Sequence, residues 1–433
     1  MRRALYGRWI TVRHFCHISV LGVPIAICLG LASTVTLMVL GDVPLAAIVQ
    51  RMYSATDSFP MMAIPYFIVA GSIMEKGGLS KRLTDFASSF VGHFTGGLGL
   101  VTVMTSMFFA AISGSGPATT AAVGGIMIPA MEKNNYDKKF ATALTATAGA
   151  LGPLIPPSVL FVTFGVATGV SIGALFMSGV IPGILVAAAI AAVVYVTSKR
   201  HGFVGTDAKF SWKNVFHATK NAIWVIFMPL IVLGGIYGGI FTPTEAAVIA
   251  TVYGLVLGFF VYKELTIKDL PKIFVDSALT SAMVMFVIAC AQAFSWMMSS
   301  YRVTNAIAAA VLAITTNKTV LLLLLNVMLL ISGCFIELNA SIVIFAPMLL
   351  PIMTQIGMHP VHFGCFMVAN LCLGLVTPPL GVNLYVACGL MKLKISEVSK
   401  ALIPILGACV AAILLVTFVE PLALWLPGIM GLL

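Results

Sequence analysis

The sequence predicts an all-α polytopic membrane protein built from two inverted structural repeats, each with a re-entrant helical hairpin and a broken transmembrane helix. Three observations carry that expectation. Hydrophobic residues make up 60% of the 433 positions and charged residues 9%, with a mean hydropathy of +1.08, whereas roughly 25% of an ordinary soluble domain is charged. Pro129, Pro156, Pro157 and Pro182 each have a proline 222 residues later, at Pro351, Pro378, Pro379 and Pro404; Gly152/Gly374 and Met131/Met353 keep the offset. All but Arg51, Arg302 and Lys318 of the 24 Lys and Arg gather in six short clusters between apolar runs.

Apolar runs near the spanning length of about 20 residues fall at 18–40, 58–75, 179–197, 222–240, 244–262, 276–300 and 402–426. The basic clusters lie in the N-terminal tail and at 76–82, 133–139, 199–220, 263–272 and 392–400. Placing all six in the cytoplasm satisfies the positive-inside rule. The N-terminus is then cytoplasmic and the C-terminus periplasmic, and the net charge of +10 marks orientation, not a nucleic-acid partner. The organisation expected is a tail at 1–17, a first repeat at 18–200, a cytoplasmic loop and linking helix at 201–243, and a second repeat at 244–433. The first repeat makes four crossings and the linking helix a fifth, so the second starts on the opposite face. No cleavable signal peptide is expected, since the first apolar run is too long for one. The eight cysteines show no CxxC pair and read as small buried hydrophobes. Residues 42–55 and 264–275 mix apolar and charged positions and suit helices lying along the interface.

The stretches 97–132 and 318–356 each begin and end on one side. Their apolar legs of about 15 residues, at about 1.5 Å per residue, fall short of a bilayer core of about 30 Å. They are expected to be re-entrant hairpins, with tips at Ser113-Gly-Ser-Gly-Pro117 and near Glu337-Leu-Asn-Ala-Ser341. Such backbone is tolerable only inside protein or beside water. A long segment follows each hairpin, 136–169 broken at Gly152-Pro-Leu-Ile-Pro-Pro-Ser158 and 361–391 broken at Gly374-Leu-Val-Thr-Pro-Pro-Leu-Gly381. A proline pair removes two amide donors and disfavours helix at the residue before it. Carbonyls freed in this way can bind a cation, and helix N-termini suit a carboxylate.

Five motifs, in order, resemble the large membrane subunit of tripartite ATP-independent periplasmic (TRAP) transporters. They are Asp57 through Phe-Pro-Met-Met-Ala-Ile-Pro-Tyr-Phe-Ile-Val-Ala-Gly71, Ser113-Gly-Ser-Gly-Pro-Ala-Thr119, Ile155-Pro-Pro-Ser158, Thr242-Pro-Thr-Glu-Ala-Ala247 and Thr377-Pro-Pro-Leu-Gly-Val-Asn383. The resemblance covers about residues 20–430, and Met1 through His17 departs from the family's apolar start. It implies an elevator-type ion-transporter-like fold and sodium-coupled import of an organic acid. It also implies two partners, a small four-helix membrane subunit and a periplasmic substrate-binding protein, in a bacterial inner membrane. Sodium ions are the only metal implied, and no other cofactor.

Carried onto this chain, a first cation site joins Ser113, Gly114 and Ser115 to carbonyls around Gly152, Ile155 and Pro157. A second joins Glu337, Asn339 and Ser341 to Thr377, Pro378 and Gly381. The solute is expected between the two tips, with Ser115, Pro117, Ser158, Asn339 and Asn383 as its candidate contacts. In the family the interfacial helices and the arms near 78–93 and 301–316 belong to the stationary scaffold, and the hairpins and broken helices move.

Other readings attach to the same residues. Ser-Gly-Ser-Gly could be a small-residue helix-packing patch, and the Pro-Pro pairs simple kinks; their shared offset favours a site. Glu337 is either a functional intramembrane acid or an ordinary acid in an aqueous vestibule. Glu245 is expected to cap a helix start, Asp57 and Glu420 to be interfacial, and His93 to be a surface residue. An intramembrane hydrolase using Ser113 or Ser115 needs a base within about 3 Å, and Ser-Gly-Ser-Gly is not the Gly-x-Ser-x-Gly elbow; no catalytic residue is assigned. A receptor-independent carboxylate symporter of similar architecture is the alternative within transport. The sequence contains no Gly-x4-Gly-Lys-Ser/Thr P-loop, so direct drive by ATP is not expected. The family carries C4-dicarboxylates, sialic acids, sugar acids and keto acids, and this chain does not say which.

Overall fold

The computed structural model describes residues 23–203, 205, 210–303, 306 and 317–433. The expected tail at 1–17, the start of the first apolar run and most of the arm at 301–316 lie outside them. Among the described residues the chain is helical throughout. Seven helices are long and apolar enough to cross a membrane, or eight if the bent pair spanning 46–76 counts as one.

The first half runs α1 (Ile25–Leu40), α2 (Ala46–Thr56), a 3-10 turn (Phe59–Met62), α3 (Ala63–Lys76) and α4 (Leu79–Val91). Next come α5 (Gly97–Ser113) and α6 (Gly116–Lys133), then the half-helices α7 (Lys138–Gly149) and α8 (Val159–Thr168), and α9 (Ile172–His201). A linking helix α10 (Trp212–Tyr237) leads to α11 (Pro243–Val256), extended by a π turn over Leu257–Val261, and to α12 (Leu270–Ser300). The second half continues with α13 (Lys318–Phe335), α14 (Leu338–Gln355), the half-helices α15 (Pro360–Gly374) and α16 (Val382–Met391), α17 (Ile395–Phe418) and α18 (Pro421–Ile429).

The prolines of each offset pair occupy like places. Pro129 and Pro351 sit inside α6 and α14, and Pro182 and Pro404 inside α9 and α17. Pro156-Pro157 and Pro378-Pro379 fall in the gaps between half-helices. Both of those Pro-Pro bonds are cis.

The half-helices form the centre. Every residue from Phe140 to Gly149 and from Val361 to Gly374 is buried. Small side chains permit this, since the run Ala-Thr-Ala-Leu-Thr-Ala-Thr-Ala-Gly149 lets neighbouring backbones come close, and its hydroxyls turn back onto the helix: Thr142, Thr145 and Thr147 donate to Lys138 O, Ala141 O and Ala143 O. At the periphery, Trp224, Phe227 and Leu230 of α10 stay exposed, as lipid-facing side chains do. The seven described cysteines are free and buried.

Helices α3 and α11 lie side by side and parallel. Thr244 Oγ1 donates to Phe59 O (2.8 Å) and Thr251 Oγ1 to Tyr66 O (3.0 Å), two donors and two acceptors each spaced by seven residues in the same direction. Glu245 caps α11 as expected. Its carboxylate accepts from the backbone and hydroxyl of Thr242 (2.8 Å each), and its own amide donates to Thr242 Oγ1. Arg82 of α4 reaches across to Glu264 (2.7 Å) and lies over the Tyr262 ring (3.9 Å). Tyr136 stacks on Phe203, ring centroids 4.4 Å apart. These contacts bring two pairs of basic clusters together, 76–82 with 263–272 and 133–139 with 199–220.

Several boundaries differ from the sequence reading. The hairpin legs contain 17 or 18 residues, longer than expected, because residues counted with the tips, Ser113, Gly116 and Pro117 in the first and Leu338 through Ser341 in the second, belong to the helices. Residues 264–275 are no separate interfacial helix. A turn at Thr266–Asp269, where Asp269 accepts from the Thr266 backbone and hydroxyl, leads straight into the 31-residue α12. The apolar run 402–426 is two helices: Pro421 has no amide to bond the carbonyl four residues back and its ring crowds that carbonyl, and the chain breaks at Val419, φ −106°, ψ 83°.

Candidate solute and cation site

The tip of the first hairpin is built by backbone rules. Gly114 ends α5 at φ +59°, a conformation glycine adopts without a Cβ penalty. Ser115 then caps α6, its hydroxyl accepting from Ala118 N at 3.4 Å, and Pro117 occupies the first turn, where its missing amide is no loss. Across the legs, Ser113 Oγ and Thr119 Oγ1 are 2.9 Å apart, and Thr119 also donates to Ser115 O at 2.7 Å. The second tip follows the same plan with other side chains. Glu337 caps α14, accepting from Ala340 N at 2.9 Å, and Ser332 and Ser341 pair across the legs at 3.0 Å.

The first tip meets the first break directly. A methyl on Gly114 would stand 2.7 Å from Pro157 O, and one on Gly152 would collide with the Ser115 carbonyl. Pro157 O therefore lies against Gly114 and Ser115 O against Gly152, with the Ser113 hydroxyl held at the same tip. Ile155 lies in the same turn, its amide donating to Leu151 O (2.9 Å) and its side chain directed at Gly183. Uncharged carbonyl and hydroxyl oxygens are a donor set for a hard, weakly held cation.

The residues that meet the second break come from the end of α13. A methyl on Gly374 would collide with Gly333 backbone, and Cys334 Sγ donates to Thr377 O at 3.1 Å. Gly381 N also donates to Thr377 O, and Gly381 Cα abuts Leu375 and Val376. Pro378 lies in this turn. Ser341 turns back to Ser332 of α13, beside Gly333, while Asn339 reaches the other half. Asn339 Nδ2 donates to Glu337 Oε1 (2.8 Å), and Asn339 Oδ1 accepts from Thr163 Oγ1 of α8 (2.8 Å). Gly333 and Cys334 were missed; the small run Ser332-Gly333-Cys334 closing an apolar leg was their signal. Thr163 had none.

A cavity of about 430 Å3 separates the two tips. Gly114 through Pro117 line it from one side and Gly333 through Asn339 from the other, with Leu375, Leu380 and Val382 of the second break at its wall. Of the expected solute contacts, Ser115, Pro117 and Asn339 are on this wall. Ser158 and Asn383 stand behind it, both fully buried. Ser158 Oγ donates to Pro153 O, and Asn383 Nδ2 donates to Ala146 O of α7 at 3.2 Å. Among the described residues the Asn383 amide oxygen has no hydrogen-bond partner, and it lies beside Gly116.

The other singled-out residues occupy plain positions. Asp57 and Glu420 are exposed. The His93 ring contacts Phe94 and Phe210, whereas the Ser113 hydroxyl is engaged by Thr119 and Ser115. Nothing in these contacts gives either serine of the tip a base.

Broken helices and facing hairpin tips around one central cavity, inside a bundle of membrane-length helices, define a polytopic membrane protein of transporter type. Residues 13–422 match the family described as the tripartite ATP-independent periplasmic transporter, DctM component. The chain is 47% identical over 415 residues to the isethionate TRAP transporter permease protein DctMQ of Oleidesulfovibrio alaskensis, covering 96% of this chain but 65% of that longer protein. It is 38% identical to the C4-dicarboxylate TRAP transporter large permease DctM of Rhodobacter capsulatus (95% and 96% covered) and 35% identical to the sialic acid large permease SiaM of Vibrio cholerae (94% and 95%). The fold is similar to the Alcanivorax borkumensis YdaH transporter (TM-score 0.61, 16% identity, 87% and 88% covered) and to Neisseria gonorrhoeae MtrF (0.58, 16%, 87% and 85%). The chain belongs to the DctM family of TRAP transporter large permeases.

Proposed function

We propose that this chain is the membrane subunit that carries the solute in sodium-coupled import of a small organic anion. A periplasmic binding protein delivers the solute, and a small four-helix membrane subunit completes the complex in the bacterial inner membrane. The observation that carries this reading is the cavity between the two hairpin tips, each tip next to a proline-broken helix. The relatives are named as permeases for isethionate, C4-dicarboxylate and sialic acid, solutes that share an anionic group.

The parallel pairing of α3 with α11 supports inverted repeats. Helices α1 and α3 are successive spans and run oppositely, so the first span of the second half opposes the first span of the first half. The joined basic clusters support a common cytoplasmic face. Sodium coupling is supported by the oxygen-only donors around Gly114, Gly152 and Pro157. An elevator motion is supported by the division between α7, α8, α15 and α16 at the core and the outer pairing of α3, α4 and α11 through Thr244, Thr251 and Arg82.

Uptake by proteoliposomes holding this chain with its small subunit tests the reading. Uptake should require both the liganded binding protein and an inward sodium gradient. Full uptake without the binding protein would favour the receptor-independent symporter, and indifference to sodium would remove the coupling.

A further inference from the structure

Arg51 stands apart from the six basic clusters of the sequence, and it borders a second cavity. That space, about 190 Å3, shares a stripe of three helices with the central one. On α12, Thr280 and Val284 line the central cavity and Ile288 and Gln292 the second, at four-residue intervals along one face. On α8 the order is Leu160 then Val166, and on α14 Asn339 then Val343. The buried Thr163–Asn339 hydrogen bond stands at the boundary of the two spaces. Because α12 starts within the basic cluster at 263–272, the second cavity lies about two helical turns further from that cluster than the central one.

The wall of this space offers hydrogen-bond donors and no acid. Its polar side chains are Ser54 of α2, Ser58 at the start of the 3-10 turn and Gln292 of α12. Among the described residues the buried Ser58 hydroxyl has no hydrogen-bond partner. Such a hydroxyl is costly to leave unpaired, and an anion's oxygen is the acceptor it lacks. Arg51 is one turn from Ser54 on α2, and its guanidinium lies over the Trp296 ring at 5.1 Å, one turn from Gln292 on α12. The ring thereby holds the cation at the gap between the two helices that carry the donors. Asp57, the acid next to Ser58 in the chain, is exposed and outside the lining.

We propose that the second cavity is an anion-binding site for the carboxylate or sulfonate group of a small organic solute, with Arg51 supplying the charge and Ser54, Ser58 and Gln292 the hydrogen bonds. It is smaller than the ~300 Å3 at which sites for drug-sized ligands begin, so it takes the anionic end of a solute and not the whole. Its place in line with the central cavity makes it an antechamber on the side away from the basic clusters. That role rests on the central cavity being the solute site.

The probes are two thiol reagents with the same reactive group and opposite charge, 2-sulfonatoethyl and 2-(trimethylammonio)ethyl methanethiosulfonate, applied to Ser54→Cys in the complex of the full chain with its small subunit. Rates at position 54 are read by mass spectrometry of peptides, which keeps the native cysteines separate, and each is divided by the reagent's rate with a free thiol in solution. The anionic reagent should then be favoured about tenfold or more. Adding Arg51→Gln should bring the two within about twofold, whereas Arg51→Lys, which keeps the charge, should retain most of the preference. Excess succinate should slow the anionic reagent, and neutral succinamide should not. Equal normalised rates, a preference indifferent to Arg51→Gln, or no slowing by succinate overturns the proposal. Cys334 in the same samples reports on the central cavity, which it lines. Protection of position 54 without protection of Cys334 supports the anion site and removes the central cavity as the solute's destination. Protection of Cys334 alone overturns the second site and leaves the central reading standing.

Discussion

Ser115 and Glu337, 222 residues apart, perform the same structural task at the two faces of the central cavity. Each caps the second leg of a hairpin by accepting from the amide three residues on, Ala118 and Ala340. Of the hydroxyls that clamp the tips, Thr119 and Ser341 obey the same offset on α6 and α14, whereas their partners Ser113 and Ser332 do not.

The glycines between tips and breaks set a strict steric condition. Gly152→Ala and Gly374→Ala place a methyl on the backbone of Ser115 and Gly333, which cannot retreat as a flexible side chain would. Overpacking costs about 1–3 kcal/mol, and each variant is expected to lower uptake at least tenfold. Gly125→Ala and Gly407→Ala, with open space around the new methyl, should transport normally. Sodium-driven uptake, normalised to the amount of protein in the membrane, separates the two pairs.

Thr163 and Asn339 join the halves by a buried hydrogen bond of 2.8 Å. Thr163→Val keeps the shape and removes the donor, leaving the Asn339 amide oxygen unsatisfied at a cost of about 1–3 kcal/mol. A lower midpoint of thermal unfolding in detergent is expected, with Thr163→Ser close to the unaltered protein. An unchanged midpoint in Thr163→Val would show that this bond does not hold the halves together.

Arg82 contributes through a small network. It pairs with Glu264, donates to Gly78 O at 2.8 Å and covers the Tyr262 ring. Glu264 is 43% exposed, so the ion pair alone is worth at most about 1 kcal/mol. Arg82→Ala should destabilise by more than Glu264→Ala, because it also loses the ring and carbonyl contacts. A double-mutant cycle on thermal stability should return a coupling below about 1 kcal/mol, falling with added salt.

Cys334 lines the cavity, where it donates to Thr377 O. Both cysteines are buried, but Cys334 borders the cavity, so a small maleimide should modify it faster than Cys409, and transported solute should slow the reaction at Cys334. Mass spectrometry of labelled peptides reads this out. Labelling of Cys334 unaffected by saturating solute would place the solute outside the cavity.

Much of this was legible in the sequence because proline and glycine write backbone geometry into local composition. Pro156-Pro157, Pro378-Pro379, Gly114 and Gly152 located the breaks and the first tip. The second cluster was not legible in the same way. Which leg meets the break depends on how α14 diverges toward α8, and the Thr163–Asn339 bond joins residues 176 apart with no local pattern. The outer ends of α5, α6, α13 and α14 fall within a residue of the expected bounds, whereas their tip ends run further, because Ser, Gly, Pro and Glu that look like loop residues in composition serve here as helix caps and first turns. The split at Pro421 was visible but was subordinated to hydropathy.

The most direct test of the central claim is a structure of the complete transporter determined with solute and sodium. Solute density should fill the space between Ser115 and Glu337, with cation density at the contact of Gly114, Gly152 and Pro157. Solute bound outside the two tips, with the cavity empty at saturating concentration, would contradict the account.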